Sequence, residues 1–339
     1  MPIPGVNLDP KSWSSGGCRL TTFVCANSGD EIIGGSGAMQ LFREGKVCDH
    51  QCLVGARALG VLNIISRAGF AFLMALIVGA FLSSCSPIQR QAAELDALLR
   101  PSDRIYRPAG LGPFPTVLFF HGCNGPSVDH EKAWAEVLNA EGYAVIAVDS
   151  FTGRNIDNRL SRAVCQGSTF WGSERAADVF VSLSHLKTLN WVDQSKIGLI
   201  GFSHGAWSVL DAFAQPKGTL PAGLVGSDPS TIDRVQFAIA FYPYCGFASQ
   251  HKNGWDREIA VHAVLAGADQ VVSTSDCVKV LEAQKTKGRP VTYVIIANAP
   301  HAFDKPPAIG DAPGSSRYNA EMTAQSQNHV REFLRKLKK

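Results

Sequence analysis

The sequence contains few charged residues and no large excess of either sign. Aspartate, glutamate, lysine and arginine make up 18% of its 339 residues, and the formal net charge is +3. The one basic run, Arg335 to Lys339, is predicted to be the solvated end of a helix. Since nucleic-acid-binding domains carry a clustered basic face, this composition argues against nucleic acid as a partner.

The sequence also lacks an apolar run long enough for an ordinary membrane-spanning helix. Its longest run, Ala68 to Leu82, has roughly 15 residues, whereas a span needs about 20. This length, with Arg67 before the run, fits the apolar core of a secretory signal. The segment Leu82-Ser83-Ser84-Cys85 resembles the end of a bacterial lipoprotein signal, in which Cys85 is lipidated and anchors the mature protein to a membrane surface. A retained signal anchor and a plainly cleaved signal are the alternatives, and all three export the domain.

Residues 1–60 precede this signal and lack a periodic apolar pattern. Their cysteines are Cys18, Cys25, Cys48 and Cys52. The spacing does not match the usual structural zinc sites, so no metal is predicted there. Because a secretory signal belongs at an N-terminus, we interpret residues 1–60 as a non-native or disordered extension. The expected organisation is this extension, a signal peptide over residues 61–85, and one domain over residues 86–339.

Beyond Cys85, the expected mature chain retains an even number of cysteines. They are Cys123, Cys165, Cys245 and Cys277. An even number in an exported domain predicts two disulfides, and four cysteines can pair in three ways. Buried free thiols are the alternative.

The domain alternates short apolar runs with amphipathic segments. This pattern predicts an α/β fold with a mostly parallel, doubly wound sheet and helices on both of its faces. The segment Ser150 to Gly172 is expected to be a long loop that shapes the site entrance. The predicted strands are Thr116 to His121, Ala144 to Asp149, Ile197 to Phe202, Phe237 to Tyr242, Val261 to Gly267 and Val291 to Ala297. The predicted helices are Gln91 to Leu99, Glu131 to Glu141, Glu174 to Leu189, one that begins at His204, and Ala320 to Leu337.

The motif Gly201-Phe202-Ser203-His204-Gly205 lies between a predicted strand and a predicted helix. This context is typical of a nucleophile elbow, in which a serine occupies a strained strand-to-helix turn and flanking glycines let the backbones pass. The helix N-terminus directs free N–H groups and a positive dipole at the reacting centre. We therefore predict that Ser203 is a nucleophile, and a structural Gly-Ser turn is the alternative.

A serine nucleophile needs a base, and the base needs a carboxylate that fixes its tautomer. In this arrangement the order along the chain is serine, acid, histidine. His301 follows a late strand and is the predicted base. Among the other downstream histidines, His251 is expected in a polar loop with no orienting carboxylate nearby, His262 in the core and His329 on the surface of the last helix.

The predicted acid is Asp269, which directly follows the strand Val261 to Gly267. Asp276 and Asp304 are the alternatives, and for each carboxylate an N-cap or surface role is the other interpretation. The developing oxyanion needs two donors, which are expected to be the backbone N–H groups of His204 and Cys123.

Taken together, these residues resemble the dienelactone hydrolase family. The segments that carry the resemblance are His121 to Gly125, Val148 to Phe151, Gly201 to Gly205, Phe241 to Pro243, Gly267 to Asp269 and His301 to Phe303. The similarity covers about Pro108 to Leu337. It implies a single α/β-hydrolase domain without a separate cap, no metal or organic cofactor, and attack on the carbonyl of a small ester or lactone.

The chain departs from this family in two respects. The founding enzymes use a cysteine nucleophile where this chain has Ser203. They also bind a substrate carboxylate with arginines, and Arg154 is the one counterpart of these arginines expected in this chain. Phe151 and Tyr242 are further candidates for substrate contact, although packing is the commoner use of an aromatic side chain.

The implied fold also favours one of the three cysteine pairings. Cys123 and Cys165 follow the first two central strands, whereas Cys245 and Cys277 follow adjacent late strands. The expected disulfides are therefore Cys123–Cys165 and Cys245–Cys277, each at the rim of the site.

The sequence thus predicts a serine hydrolase that cleaves carboxylic esters or lactones through an acyl-enzyme. Its expected location is the bacterial cell envelope, with a lipid anchor. An acyltransferase or serine peptidase with the same three residues is one alternative. A catalytically inactive binding protein with this fold is the other.

Overall fold

The structure, a computed structural model, describes residues 89–307 and 317–338. The expected extension over residues 1–60, the signal peptide over residues 61–85 and lipidation of Cys85 lie outside the described residues. Residues 89–339 form one compact unit. No helix among the described residues has the length and apolarity needed to cross a membrane.

A seven-stranded sheet forms the centre of this unit. In chain order the strands are β1 (Arg90–Gln91), β2 (Arg104–Tyr106), β3 (Phe114–Phe120), β4 (Ala144–Val148), β5 (Val192–Phe202), β6 (Leu224–Val225), β7 (Val235–Phe241), β8 (Ala260–Ala266) and β9 (Val291–Ile296). The order across the sheet is β2-β4-β3-β5-β7-β8-β9, and β1 pairs separately with β6. Only the edge strand β2 is antiparallel to its neighbour in this sheet. The six predicted strands correspond to β3, β4, β5, β7, β8 and β9, which confirms the predicted fold class.

Seven α-helices connect or flank the described strands. They are α1 (Ala92–Leu99), α2 (Val128–Ala140), α3 (Asn158–Cys165), α4 (Gly172–Leu186), α5 (His204–Phe213), α6 (Thr274–Thr286) and α7 (Ala320–Leu337). The segment 150–172, predicted to be a loop, contains α3 and a short 3-10 turn, Thr152–Arg154. The apolar pattern missed α3 because only two of its residues, Ser161 and Val164, are buried. The helix is instead fixed by Asp157, whose carboxylate accepts the N–H groups of Arg159 and Leu160.

Two hydrophobic clusters cover the two faces of the sheet. Alternate residues of β3 belong to different clusters, because successive side chains of a strand point to opposite faces. Leu118 and Phe120 pack with α4 and α5, whereas Val117 and Phe119 pack with α2 and α7. The central strands are therefore buried on both sides, as their unbroken apolar sequences predict. Their carboxyl ends meet at one edge, where the candidate site lies.

Asp103, just before β2, gives the fold a measurable pH dependence. Burial raises the pKa of its carboxyl from 3.8 to about 6, against the opposing effect of Arg100 at 2.7 Å. A raised acid pKa means that the folded state binds more protons, so this contribution to stability falls as pH rises through 4 to 6. We expect the free energy of unfolding of the wild type, relative to Asp103→Asn, to fall by roughly 2 to 3 kcal/mol between pH 4 and pH 7.

Urea denaturation of both proteins across this range would measure the difference. Asp228→Asn is the control. Asp228 has its pKa lowered to about 2, first by the hydroxyl and N–H of Ser230, so its contribution to stability changes mainly below pH 4, and the difference between the wild type and this variant should stay nearly constant between pH 4 and pH 7. A difference between wild type and Asp103→Asn that is independent of pH would contradict the prediction.

Candidate active site

Ser203 occupies the turn between β5 and α5. Its backbone has φ 51° and ψ −113°, a strained conformation for a residue with a side chain, and its N–H donates to the carbonyl of Phe241 at 2.9 Å. The two motif glycines are required for clearance. A Cβ on Gly205 would lie 2.1 Å from the carbonyl oxygen of Phe120, and one on Gly201 would lie 2.6 Å from the backbone nitrogen of Ala206. The motif therefore folds as an elbow that exposes the serine at the carboxyl edge of the sheet.

His301 connects this serine to a carboxylate. Its Nε2 lies 2.9 Å from Ser203 Oγ, and its Nδ1 lies 2.7 Å from Asp269 Oδ2. These distances suit a neutral imidazole that donates Nδ1–H to Asp269 and accepts the serine hydroxyl at Nε2. The structure thus brings together the three residues that the sequence analysis proposes as nucleophile, base and acid.

Asp269 is held in its ionised form by several donors. Its Oδ1 accepts the N–H groups of Val271 at 2.8 Å and Val272 at 3.0 Å, which leaves Oδ2 to His301. Burial acts to raise the pKa of this carboxyl, but the hydrogen bond from His301 and the two N–H groups outweigh burial, so the pKa lies below its usual value. Asp269 therefore carries a negative charge at neutral pH.

The two alternative acids have other partners. Asp276 lies on the surface of α6, where it pairs with Lys279 at 3.1 Å. Asp304 is buried and accepts hydrogen bonds from Tyr242 Oη at 2.5 Å, Trp134 Nε1 at 2.8 Å and His130 Nε2 at 2.9 Å. Asp304 thus anchors the segment that follows His301 to α2 and to the end of β7.

The loop after β3 passes directly over the serine. A Cβ on Gly122 would lie 3.6 Å from Ser203 Cβ, so this loop also brings the next residue, Cys123, to the vicinity of Ser203. On the other side, His204 opens α5, and the first N–H groups of a helix have no partner within the helix. Donation to an oxyanion by Cys123 and His204 stays a prediction.

Two disulfides lie at the carboxyl edge. Cys123 is bonded to Cys165 at the end of α3, and Cys245 is bonded to Cys277 in α6. These are the pairs expected from the fold. Disulfides persist in oxidising compartments, which favours an exported location.

The side chains predicted to contact substrate have partners within the protein. Arg154 forms a bidentate pair with Asp178, at 2.5 and 3.0 Å, and also donates to the carbonyl of Ser150. Phe151 is only 2% exposed and packs against the ring of His121. Tyr242 is equally buried, and the centroid of its ring lies 4.7 Å from that of His301, with the two rings tilted at 58°. This burial and pairing favours packing and positioning roles over direct substrate contact.

The prediction made from the sequence is confirmed for one further histidine and contradicted for another. His262 is a core residue, as predicted: its Nδ1 contacts Thr292 Oγ1 at 2.9 Å, and burial lowers its pKa to about 4. The expectation for His251 was wrong. His251 is fully buried, and its Nδ1 lies 2.7 Å from a carboxylate oxygen of Asp211, a residue 40 positions away on α5. Separation along the chain concealed this carboxylate.

Arg175, a fully buried residue of α4 beside the site, was not predicted from the sequence. A signal was present, because Arg175 shares the inward face of its helix with Val179 and Leu183 at helical spacing. A charged residue at a core-facing position of a helix is unusual. Within the described ranges, no group of three or more histidine, cysteine, aspartate or glutamate side chains is placed to bind a metal ion.

The doubly wound sheet with a serine on its strand-to-helix elbow defines the α/β-hydrolase class of proteins. The chain belongs to the dienelactone hydrolase family, whose model matches residues 103–338, and is therefore an enzyme of the hydrolase class. No curated protein gives a significant match to the sequence.

Solved structures share this fold at low sequence identity. A dienelactone hydrolase of Klebsiella pneumoniae, described as putative, is 15% identical, with a TM-score of 0.52 over 68% of this chain and 91% of its own. A dienelactone hydrolase-like promiscuous phosphotriesterase from metagenomic libraries is 20% identical, with a TM-score of 0.52 over 70% and 98%. Esterase 2 of Thermogutta terrifontis, phosphoramylated by tabun, is 18% identical, with a TM-score of 0.50 over 69% and 89%.

Proposed function

We propose that the protein is a serine esterase that hydrolyses carboxylic esters or lactones through an acyl-enzyme. The observation that carries this proposal is the continuous contact from Ser203 Oγ through His301 to Asp269, at 2.9 and 2.7 Å. A serine hydroxyl is a weak nucleophile, and this geometry supplies both the base that accepts its proton and the carboxylate that orients the base. The family assignment supports the same chemistry.

In the first half of the reaction, Ser203 Oγ attacks the substrate carbonyl carbon while its proton moves to His301 Nε2. Asp269 stabilises the imidazolium that forms, and the N–H groups of Cys123 and His204 bind the oxyanion. The bond between carbonyl carbon and leaving oxygen then breaks, and the leaving alkoxide takes the proton from Nε2. In a lactone the leaving oxygen stays attached to the acyl group.

In the second half, water replaces the alcohol. His301 takes a proton from this water, and the resulting hydroxide attacks the acyl carbon. Collapse of the second tetrahedral intermediate returns the proton to Ser203 and releases the carboxylic acid. The family assignment favours water as the acceptor, so hydrolysis is proposed over acyl transfer.

Reaction of the full chain with a fluorophosphonate probe tests the activated serine. We expect one adduct, located at Ser203 by mass mapping of the labelled peptide. The adduct should be lost in His301→Ala, because the base is removed, and retained in His262→Ala, which removes a buried histidine of the core. A tabun-modified esterase among the structural relatives makes a phosphorus electrophile a suitable probe.

Turnover of short-chain p-nitrophenyl esters and of small lactones would then test the substrate class. An adduct at another serine, or equal labelling of wild type and His301→Ala, would contradict the assignment. Folded protein that neither labels nor hydrolyses any ester would favour the binding-protein alternative.

A further inference from the structure

Arg175 contacts both elements that are proposed to bind the oxyanion. Its Nη1 donates to the carbonyl oxygen of His121 at 2.7 Å and to His204 Nδ1 at 3.2 Å. Its Nε donates to Ser150 Oγ, just beyond β4, at 2.9 Å. One guanidinium therefore ties together the ends of β3 and β4 and the first residue of α5.

These contacts lie close to the two backbone N–H groups that are predicted to bind the oxyanion. The His121 carbonyl lies at the start of the loop that carries Cys123 over the nucleophile. His204 bears the second N–H in its own backbone, and its ring is fixed at both nitrogens, since Nε2 donates to the carbonyl of Phe170 at 2.7 Å. Burial and then the charge of Arg175 lower the pKa of His204 to about 3, so the ring stays neutral and accepts from Arg175.

In the described ranges, no carboxylate is in direct contact with Arg175 to balance its charge. Asp178, the acid that most strongly favours its charged form, is already paired with Arg154 at 2.5 Å. The Nη2 group of Arg175 is buried and has no hydrogen-bond partner among the described residues. Burial lowers the pKa of Arg175 to about 10, which leaves it charged at neutral pH.

A buried cation with a spare donor is costly for stability, and such groups are retained mainly where they serve a site. In a protein interior, where the dielectric constant is low, a positive charge acts strongly on nearby groups. Negative charge develops on the carbonyl oxygen during acyl transfer, on the side of Ser203 that faces the loop after β3 and the start of α5.

We propose that Arg175 is a positioning residue for the oxyanion hole: it holds the β3 loop and the α5 N-terminus in register and adds positive potential behind them. The proposal rests on the proposed esterase function. Arg175 touches neither substrate nor Ser203, so it acts through His121 and His204. Arg175 therefore stabilises the transition state, in which the oxyanion exists, and does not strengthen binding of the neutral ester.

The test compares Arg175→Met and Arg175→Lys with the wild type, using a p-nitrophenyl ester and a trifluoromethyl ketone inhibitor. The ketone forms a tetrahedral adduct with an oxyanion. We expect Arg175→Met to lower kcat about 10- to 100-fold and to change KM by no more than about twofold. Binding of the ketone should weaken by about the same factor as kcat. Arg175→Lys should give an intermediate loss, because one ammonium keeps the charge but cannot reach all three partners.

Arg257→Met and Arg257→Lys are the matched controls. Arg257 is 3% exposed and donates to Asp233 and to the carbonyl of Gln215, just beyond the C-terminal end of α5 and away from Ser203. These variants should lose thermal stability while keeping kcat. If Arg175→Met does not fold, Arg175→Lys provides the test. A kcat of Arg175→Lys equal to that of the wild type would then overturn the proposal.

A loss that appears in KM alone, or equally in the Arg257 variants, would also overturn it, since both results indicate a structural role. Failure of the proposed function is distinguishable, because the wild type itself would then hydrolyse no ester and bind no ketone.

Discussion

Ser203→Ala is expected to lower kcat for ester hydrolysis by roughly 10⁴- to 10⁶-fold, with the thermal midpoint almost unchanged. Alanine keeps the Cβ and tolerates the same backbone, but it removes the oxygen that attacks the carbonyl. The remaining turnover would come from water acting in a site that still stabilises an oxyanion. Steady-state kinetics and thermal denaturation of the full chain measure both quantities.

Ser208→Ala is the control for this substitution. Ser208 lies one turn further along α5, is fully buried, and donates its hydroxyl to the carbonyl of His204 at 2.7 Å. Its loss should reduce stability slightly and leave kcat within a few-fold of the wild type. Activity of Ser203→Ala close to that of the wild type would show that another residue attacks the substrate.

Asp269→Asn is expected to lower kcat about 10⁴-fold while Ser203 and His301 stay in place. The carboxylate now accepts Nδ1–H of His301, at 2.7 Å. An asparagine amide can donate to Nδ1 instead, which moves the imidazole proton to Nε2. His301 then cannot accept the serine proton, because Nε2 already carries one.

The matched variant is Asp276→Asn, which changes the first alternative acid. Asp276 is paired with Lys279 on an exposed face, so its substitution should leave kcat unchanged and stability almost unchanged. The reverse result, with a large loss in Asp276→Asn and none in Asp269→Asn, would refute the assignment of the acid. Fluorophosphonate labelling rates should follow the same order as kcat.

Local sequence patterns predicted the elements that carry these three residues. Each central strand is a continuous apolar run, and the elbow is defined by five adjacent residues, so neither requires knowledge of distant contacts. Asp269 and His301 could be predicted because the carboxyl ends of parallel strands meet at one edge of the sheet. Residues that directly follow such strands in the sequence therefore lie close together in space.

What the sequence did not reveal depends on pairs that are far apart along the chain. Asp304 accepts from Trp134, 170 residues earlier, and His251 pairs with Asp211, 40 residues earlier. Apolar periodicity indicates which face of a helix is buried, but it does not identify the partner of a polar group on that face. Arg175 could be marked as unusual from its position, yet its contacts with His121 and His204 require the tertiary structure.

The close approach of α5 to β3 has a consequence for how this enzyme can diversify. Neither Gly201 nor Gly205 leaves space for a methyl group, and between them the ring of Phe202 packs with its centroid 4.8 Å from those of Phe119 and Phe241. At Ser203, the proposed nucleophile, a side chain of similar size can replace the serine. Serine and cysteine differ there in acidity and hardly at all in shape. A lineage with this elbow can therefore alternate between hydroxyl and thiol chemistry by a single codon change while its scaffold stays the same.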